Sequence, residues 1–122
     1  MSVRSDLVAL VNAVSAVTGR VYADTAPPTA AYPMVTVDAV QDRSIALAGD
    51  ARTIKWRFYA QVHVWVTQAA DDGSVADAVI AAIDGAQVSA PGRRCRVTGA
   101  PRIADPEPGL AHYAVQVTVS SS

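Results

Sequence analysis

The stretch Lys55–Thr67 constrains the fold more than any other part of the chain, because apolar and polar residues alternate along its whole length. A period of two is the pattern of a β-strand whose two faces meet different surroundings. One face is apolar and suits a core: Trp56, Phe58, Ala60, Val62, Val64 and Val66. The other face is half polar yet includes Tyr59 and Trp65, which favours contact with this chain's helices or with another chain.

Shorter extended runs accompany this central strand. Residues 34–40 and 111–119 alternate in the same way, and residues 93–98 form a further strand-like run. A brief extended segment at residues 21–22 precedes a proline-rich loop. The stretch 99–109 contains three prolines and therefore indicates a rigid loop between the last two strands.

Two amphipathic runs predict helices. Apolar residues recur at three- and four-residue spacing over Leu7–Val17, and Gly19 is placed to end that helix. The same spacing predicts a second, alanine-rich helix that starts at Ser74 and is stopped by Gly85.

The order of these elements predicts an α+β fold. At 122 residues the chain has room for one core, so we expect a single small domain over residues 1–119. It would contain an antiparallel or mixed sheet of about four to five strands with two helices packed on it. Residues 120–122 are all serine, and we expect them to form a frayed polar tail.

The connection over residues 41–53 is long for so small a domain. It contains a short apolar patch with Ile45 and Leu47 between polar flanks. Two interpretations stay open: an ordinary long hairpin whose tip folds back on its own sheet, and an arm that contacts a partner.

The composition favours assembly and argues against several function classes. Hydrophobic residues make up 51% of the chain and charged residues only 17%, below the roughly 25% usual for soluble domains. Because a small domain has little interior, part of this apolar surface should be covered by partners. The net charge of −1 gives no global field for nucleic acid or an anionic membrane. No apolar run is long enough to span a membrane, and the opening residues do not resemble a signal peptide, so we expect a protein made and used without crossing one.

The residues that could carry catalysis are few. No phosphate-binding glycine loop, zinc-protease motif or nucleophile elbow is present, and Cys95 is the only cysteine. His63 and His112 lie on the polar side of their strands and could share a metal with Asp38 or bracket a substrate. Ordinary surface or interface histidines are the favoured interpretation, so we expect no enzyme, no cofactor and no metal site.

A cluster of arginines follows the second helix: Arg93, Arg94, Arg96 and Arg102. Contact with the phosphates of DNA is one interpretation of this basic patch. Ion pairing with acidic residues of a neighbouring subunit, such as Asp105 or Glu107, is the other and is favoured.

Three loose motifs give the chain a family resemblance: Gly19-Arg20-Val21-Tyr22, Tyr32-Pro33-Met34-Val35 and Val62-His63-Val64-Trp65. Together with the order of elements, they make essentially the whole chain similar to the tail-completion, or tail terminator, proteins of long-tailed bacteriophages and related gene-transfer particles. The resemblance implies a non-enzymatic structural protein of the virion, made in the host bacterial cytoplasm.

The resemblance also implies a place and partners. Such a protein forms a ring, expected to be a hexamer, at the head-proximal end of the tail tube, where it ends tube polymerisation and provides the head–tail joining surface. The implied partners are further copies of itself, the tail tube protein and the head–tail connector or head completion protein, with DNA passing through the lumen without sequence-specific binding and no membrane. Candidate contact residues are Ile45, Leu47, Tyr59, His63 and Trp65. The alternatives are another head–tail joining or minor tail protein, or a free homo-oligomeric binding module.

Overall fold

A computed structural model of the chain describes residues 3–23, 25–27, 31–46, 54–88, 93–103 and 109–121; within them, the side chains of residues 3, 39–46, 54–57, 93, 120 and 121 are not described. The elements follow in the order α1 (Val3–Asn12), β1 (Val21–Ala23), β2 (Met34–Ala46), β3 (Ile54–Thr67), α2 (Ser74–Ile83), β4 (Arg93–Gly99), β5 (Arg102–Ile103) and β6 (Leu110–Ser121). A short 3₁₀ turn, Gln68–Ala70, connects β3 towards α2.

The strands form one mixed sheet of six strands. Its order is β1-β2-β3-β6-β4, and β5 pairs with β6 beyond the end of β4. β1 runs parallel to β2, and every other pairing is antiparallel. The predicted α+β class with two helices and a mixed sheet is confirmed. The predicted strand number was too low, because Arg102 and Ile103 pair with β6 inside the stretch expected to be a rigid loop.

Both helices pack on the same face of this sheet and bury its valines. Register places Val37, Val62 and Val115 side by side on three neighbouring strands. All three are fully buried with the apolar side chains of the helices, Leu7, Val11, Val79 and Ile83. The predicted core face of β3 is confirmed at Phe58, Ala60, Val62, Val64 and Val66, which are all buried. The side chain of Trp56 lies outside the described part.

The first helix ends earlier than its apolar spacing predicts. α1 stops at Asn12, and a series of tight turns continues to Gly19. The Asn12 side chain accepts a hydrogen bond from the Gly19 N–H at 2.8 Å, and the Thr18 hydroxyl donates to the Asn12 carbonyl at 2.8 Å. Because Val17 is still buried in these turns, the apolar stripe extends past the helix. Gly19 adopts a φ of 81°, a left-handed conformation suited to glycine.

The β2–β3 hairpin extends much further than the alternating pattern of residues 34–40. The two strands stay paired out to Ala46 opposite Ile54, with a register shift between Ala39 and Gln41. Much of the long connection is therefore an extended hairpin. Ile45 lies on β2 opposite Lys55, whereas Leu47 and the tip lie outside the described residues.

The C-terminal strand also exceeds its prediction. A frayed tail was expected from residue 120, but β6 continues to Ser121, because Ser120 and Ser121 pair with Arg94 and Arg93 of β4. Within the described ranges, no helix combines the length and the apolar character needed to cross a membrane.

Candidate assembly surface

Many polar and aromatic side chains lie on the face of the sheet opposite the helices. We call it the open face, because neither α1 nor α2 packs on it. Strand alternation and register assign to it the following described residues: Met34, Thr36, Asp38, Tyr59, Gln61, His63, Trp65, Arg94, Arg96, His112, Ala114, Gln116 and Thr118. Three of the five candidate contact residues therefore lie together here: Tyr59, His63 and Trp65.

A cluster of rings lies at one end of the open face. Register places Trp65 directly opposite His112, and their rings stack with centroids 4.5 Å apart and planes inclined by 23°. The His63 ring stacks on Trp65 as well, at 5.5 Å and 24°. His112 is 8% exposed, so an imidazole is buried on the face that meets no helix. We call His63, Trp65 and His112 the ring cluster.

A hydrogen bond joins the two imidazoles of the ring cluster, and a close nitrogen–oxygen contact joins His63 to the Asp38 carboxylate. His63 Nδ1 lies 2.8 Å from His112 Nε2, and His63 Nε2 lies 3.3 Å from Asp38 Oδ2. When the proton of His63 is on Nε2, facing Asp38, its Nδ1 accepts a hydrogen bond from the Nε2–H of His112.

The sequence placed His63, His112 and Asp38 together as one alternative for a metal or substrate site. The structure brings the three side chains into one chain of contacts. Both nitrogens of His63 are engaged in it, and among the described residues no group of three or more His, Cys, Asp or Glu side chains could hold a metal ion. Within the described residues, these three side chains therefore form a cluster of contacts on the open face and not a set of metal ligands.

Within the described part of the chain, one oxygen of Asp38 has no hydrogen-bond partner. Its Oδ1 atom is buried and makes no hydrogen bond, although 38% of the side chain as a whole is exposed. A carboxylate oxygen shielded from water and left without a donor lowers stability. The Asp38 carboxylate therefore has unused capacity to accept a hydrogen bond.

The predicted basic patch is divided between the two faces of the sheet. Arg94 and Arg96 are exposed on the open face of β4. Arg102 pairs with Tyr113 on the helix-bearing face, where its guanidinium lies 3.7 Å from Asp71. The side chain of Arg93 is not described, and neither are the suggested acidic partners Asp105 and Glu107.

Asp71 joins the turn before α2 to the last strand, a role that the sequence did not indicate. The Tyr113 hydroxyl donates to its carboxylate at 2.7 Å, and the Gly73 N–H donates to it at 3.1 Å. The bond to Asp71 raises the pKa of Tyr113 above its usual value, with smaller contributions from burial and nearby charge. The neighbouring Asp72 lies just before α2, where its carboxylate accepts a hydrogen bond from the Ser74 N–H at 2.9 Å.

The outer edge of β4 is closed to further strands over much of its length. Cys95 donates to Ala86 and accepts from Gly85, and the Val97 N–H donates to the Asp84 carboxylate at 3.0 Å. Edge strands whose backbone groups are already bonded resist pairing with another chain. A partner at this edge would therefore contact side chains, chiefly those of Arg94 and Arg96, and would not pair with the backbone.

The motifs that carry the family resemblance come together in the fold. The Arg20 guanidinium donates to the carbonyls of Pro33 at 2.8 Å and Ala16 at 2.7 Å. Val21 then pairs with Val35 in the parallel β1–β2 ladder. These residues fix the start of β2, and thereby the position of Asp38 on the same strand.

Known proteins resemble this chain both in sequence, through a family model, and in fold, through a solved structure. The family model described as "Tail completion protein gp17" matches residues 4–120. Among solved structures, a chain from the virion of a native gene transfer agent particle superposes with a TM-score of 0.72 at 16% identity, covering 98% of this chain and 94% of that one. At that identity the likeness concerns the fold. A sequence comparison with curated proteins gives no match.

Proposed function

The chain belongs to the tail completion protein gp17 family, and from this membership we propose that it acts as a tail terminator, a virion protein that forms a ring at the head-proximal end of the tail tube. In this role it ends polymerisation of the tube protein and provides the surface that joins the tail to the head connector or head completion protein. The observation that carries the proposal is the family match over residues 4–120, nearly the full length of the domain.

The open face supports an assembly role. Tyr59, His63 and Trp65 are each only partly buried, and aromatic residues of this kind are enriched where proteins meet. Closed rings require two different complementary surfaces on each subunit. The open face offers the ring cluster on its inner strands β3 and β6, and two exposed arginines, Arg94 and Arg96, on the edge strand β4. The superposition with a virion chain indicates that this fold is used inside such a particle.

The charge of the chain fits a ring through which DNA moves. With a net charge of −1, the subunit has no excess of cations to hold phosphates tightly. We propose a hexamer whose lumen lets DNA pass without sequence-specific contacts.

A tube-capping assay tests the proposal. Purified tail tubes are incubated with the protein and with the tube protein that would extend them, and tube lengths are measured by electron microscopy. A terminator holds the tubes at their starting length and appears as density at one end. Tubes that grow to the same length with and without the protein would refute the terminator role. Binding at the end without an effect on length would instead support another head–tail joining role.

The apolar patch of the connection over residues 41–53 provides a variant for the same assay. Replacing Ile45 and Leu47 by Ser should leave thermal unfolding unchanged and weaken capping if the hairpin is a partner-contacting arm. Normal capping by this variant would refute the arm while leaving the terminator role intact.

A further inference from the structure

We propose that Arg94 and Arg96 of one subunit bind the Asp38 carboxylate of the next subunit, beside its ring cluster, and that this contact closes the ring. The inference rests on the proposed function, since it names the residues through which copies of this chain would meet. It begins from the buried Oδ1 atom of Asp38, which accepts no hydrogen bond within the described part of the chain.

The missing donor is not supplied by the arginines of the same subunit. Asp38 lies on β2, and Arg94 and Arg96 lie on β4, three strand spacings away across β3 and β6. Three spacings amount to about 14 Å, which exceeds the reach of an arginine side chain. Among the described residues, Arg94 and Arg96 form no ion pair with any acidic side chain. The open face thus carries cations and a carboxylate that cannot meet within one copy.

The two groups lie near opposite edges of the sheet. β4 forms one edge, and β1 covers β2 at the other edge only from Val35 to Val37, so the ladder ends directly before Asp38. Placing the β4 edge of one copy beside the β2 edge of the next brings opposite charges together. Such a contact is head-to-tail, and head-to-tail contacts generate closed rings when the rotation is right.

The chemistry of the site suits a guanidinium. A planar guanidinium donates two parallel hydrogen bonds to a carboxylate and stacks on aromatic faces. Asp38 provides the carboxylate, and His63 of the ring cluster lies directly beside it at 3.3 Å. The aspartate side chain rotates readily about its Cβ–Cγ bond, so the buried oxygen can turn towards a ligand that enters through the exposed third of the side chain. Because Ala86, Gly85 and Asp84 close the backbone edge of β4, the contact at that edge is made by side chains.

A charge-exchange experiment tests this contact in the full-length protein. One variant carries Arg94→Glu and Arg96→Glu, and the other carries Asp38→Lys. Each variant alone would place like charges against each other, and we expect capping of tail tubes to need at least about tenfold more protein. In an equimolar mixture, subunits alternate around an even-numbered ring, every contact again joins opposite charges, and capping returns.

Controls separate this inference from the proposed function. Asp77→Lys makes the same change of charge as Asp38→Lys, but at an exposed residue on α2. We expect the protein with this substitution to cap tail tubes normally. Wild-type protein that fails to cap refutes the terminator role itself. Wild-type capping combined with normal capping by both charge variants overturns only the Arg94–Arg96–Asp38 contact. The contact is also overturned if each variant caps weakly and their mixture caps no better. Circular dichroism must then show that each variant is folded. Because Asp38→Lys could disturb His63, Asp38→Asn serves as a second variant, and it should also weaken capping.

Discussion

His63 Nδ1 and His112 Nε2 lie 2.8 Å apart on neighbouring strands, so one imidazole donates to the other on a face of the sheet that neither helix covers. The bond, the contact with Asp38 and the stacked ring of Trp65 make these side chains one unit. The changes in unfolding free energy caused by substituting these side chains should therefore not be additive.

A double-mutant cycle measures this coupling. His63→Ala, His112→Ala and the double variant are compared by urea unfolding. We expect His112→Ala to cost more than His63→Ala, because His112 is buried, and a coupling free energy of about 0.5–3 kcal/mol between them. A coupling of zero would show that the two rings do not interact in solution. Unchanged unfolding after treatment with a chelator would remove support for a metal at this pair.

Phe58 and Trp65 test the difference between the two faces of β3. Phe58 belongs to the core cluster, so Phe58→Ala should destabilise the monomer by about 3–5 kcal/mol. Trp65 is partly buried on the open face, so Trp65→Ala should cost less stability while weakening assembly at least as strongly. The measurements are urea unfolding of the monomer and capping of tail tubes. An equal loss of monomer stability, without an additional loss of capping, would show that Trp65 serves only its own subunit.

The buried thiol of Cys95 should make the free energy of unfolding fall at alkaline pH. Burial, together with the nearby charge of Asp6, raises the pKa of its thiol to about 11. A thiol whose pKa is raised on folding stabilises the native state while protonated, so this contribution is complete below about pH 9 and lost as the pH approaches 11. The free energy of unfolding should fall more steeply over this range in the wild type than in Cys95→Ala. Parallel profiles for the two proteins would contradict the shift.

Alternation along the strands made most of the fold predictable. A period of two over many residues identifies a core face irrespective of the partner strand, which is why Val62 and Val64 were placed correctly. β5 has only two residues, too few to show a period, and exists because β6 offers it a free edge. The end of α1 was misplaced because tight turns at three-residue spacing keep Val14 and Val17 on the apolar stripe after the helix has stopped.

The candidate surface was only partly predictable. Alternation assigns Tyr59, His63 and Trp65 to one face, but the His63–His112 bond depends on the register between strands 49 residues apart. A shift of one residue would reverse the faces of the whole strand. Local sequence likewise grouped Arg102 with Arg94 and Arg96, although β5 places Arg102 on the opposite side of the sheet.

The Tyr113–Asp71 bond predicts a measurable role in holding the turn before α2 against the sheet. The Asp71 side chain is only 9% exposed, so Tyr113→Phe leaves a shielded carboxylate short of one donor. Hydrogen bonds to charged groups contribute about 1.5–3 kcal/mol, and Tyr113→Phe should lower the free energy of unfolding by about that amount. Tyr22→Phe is the matched control, because Tyr22 is also a partly buried strand tyrosine and has no assigned hydrogen bond among the described residues. Equal unfolding curves for the two variants would mean that Arg102 and Gly73 alone satisfy Asp71.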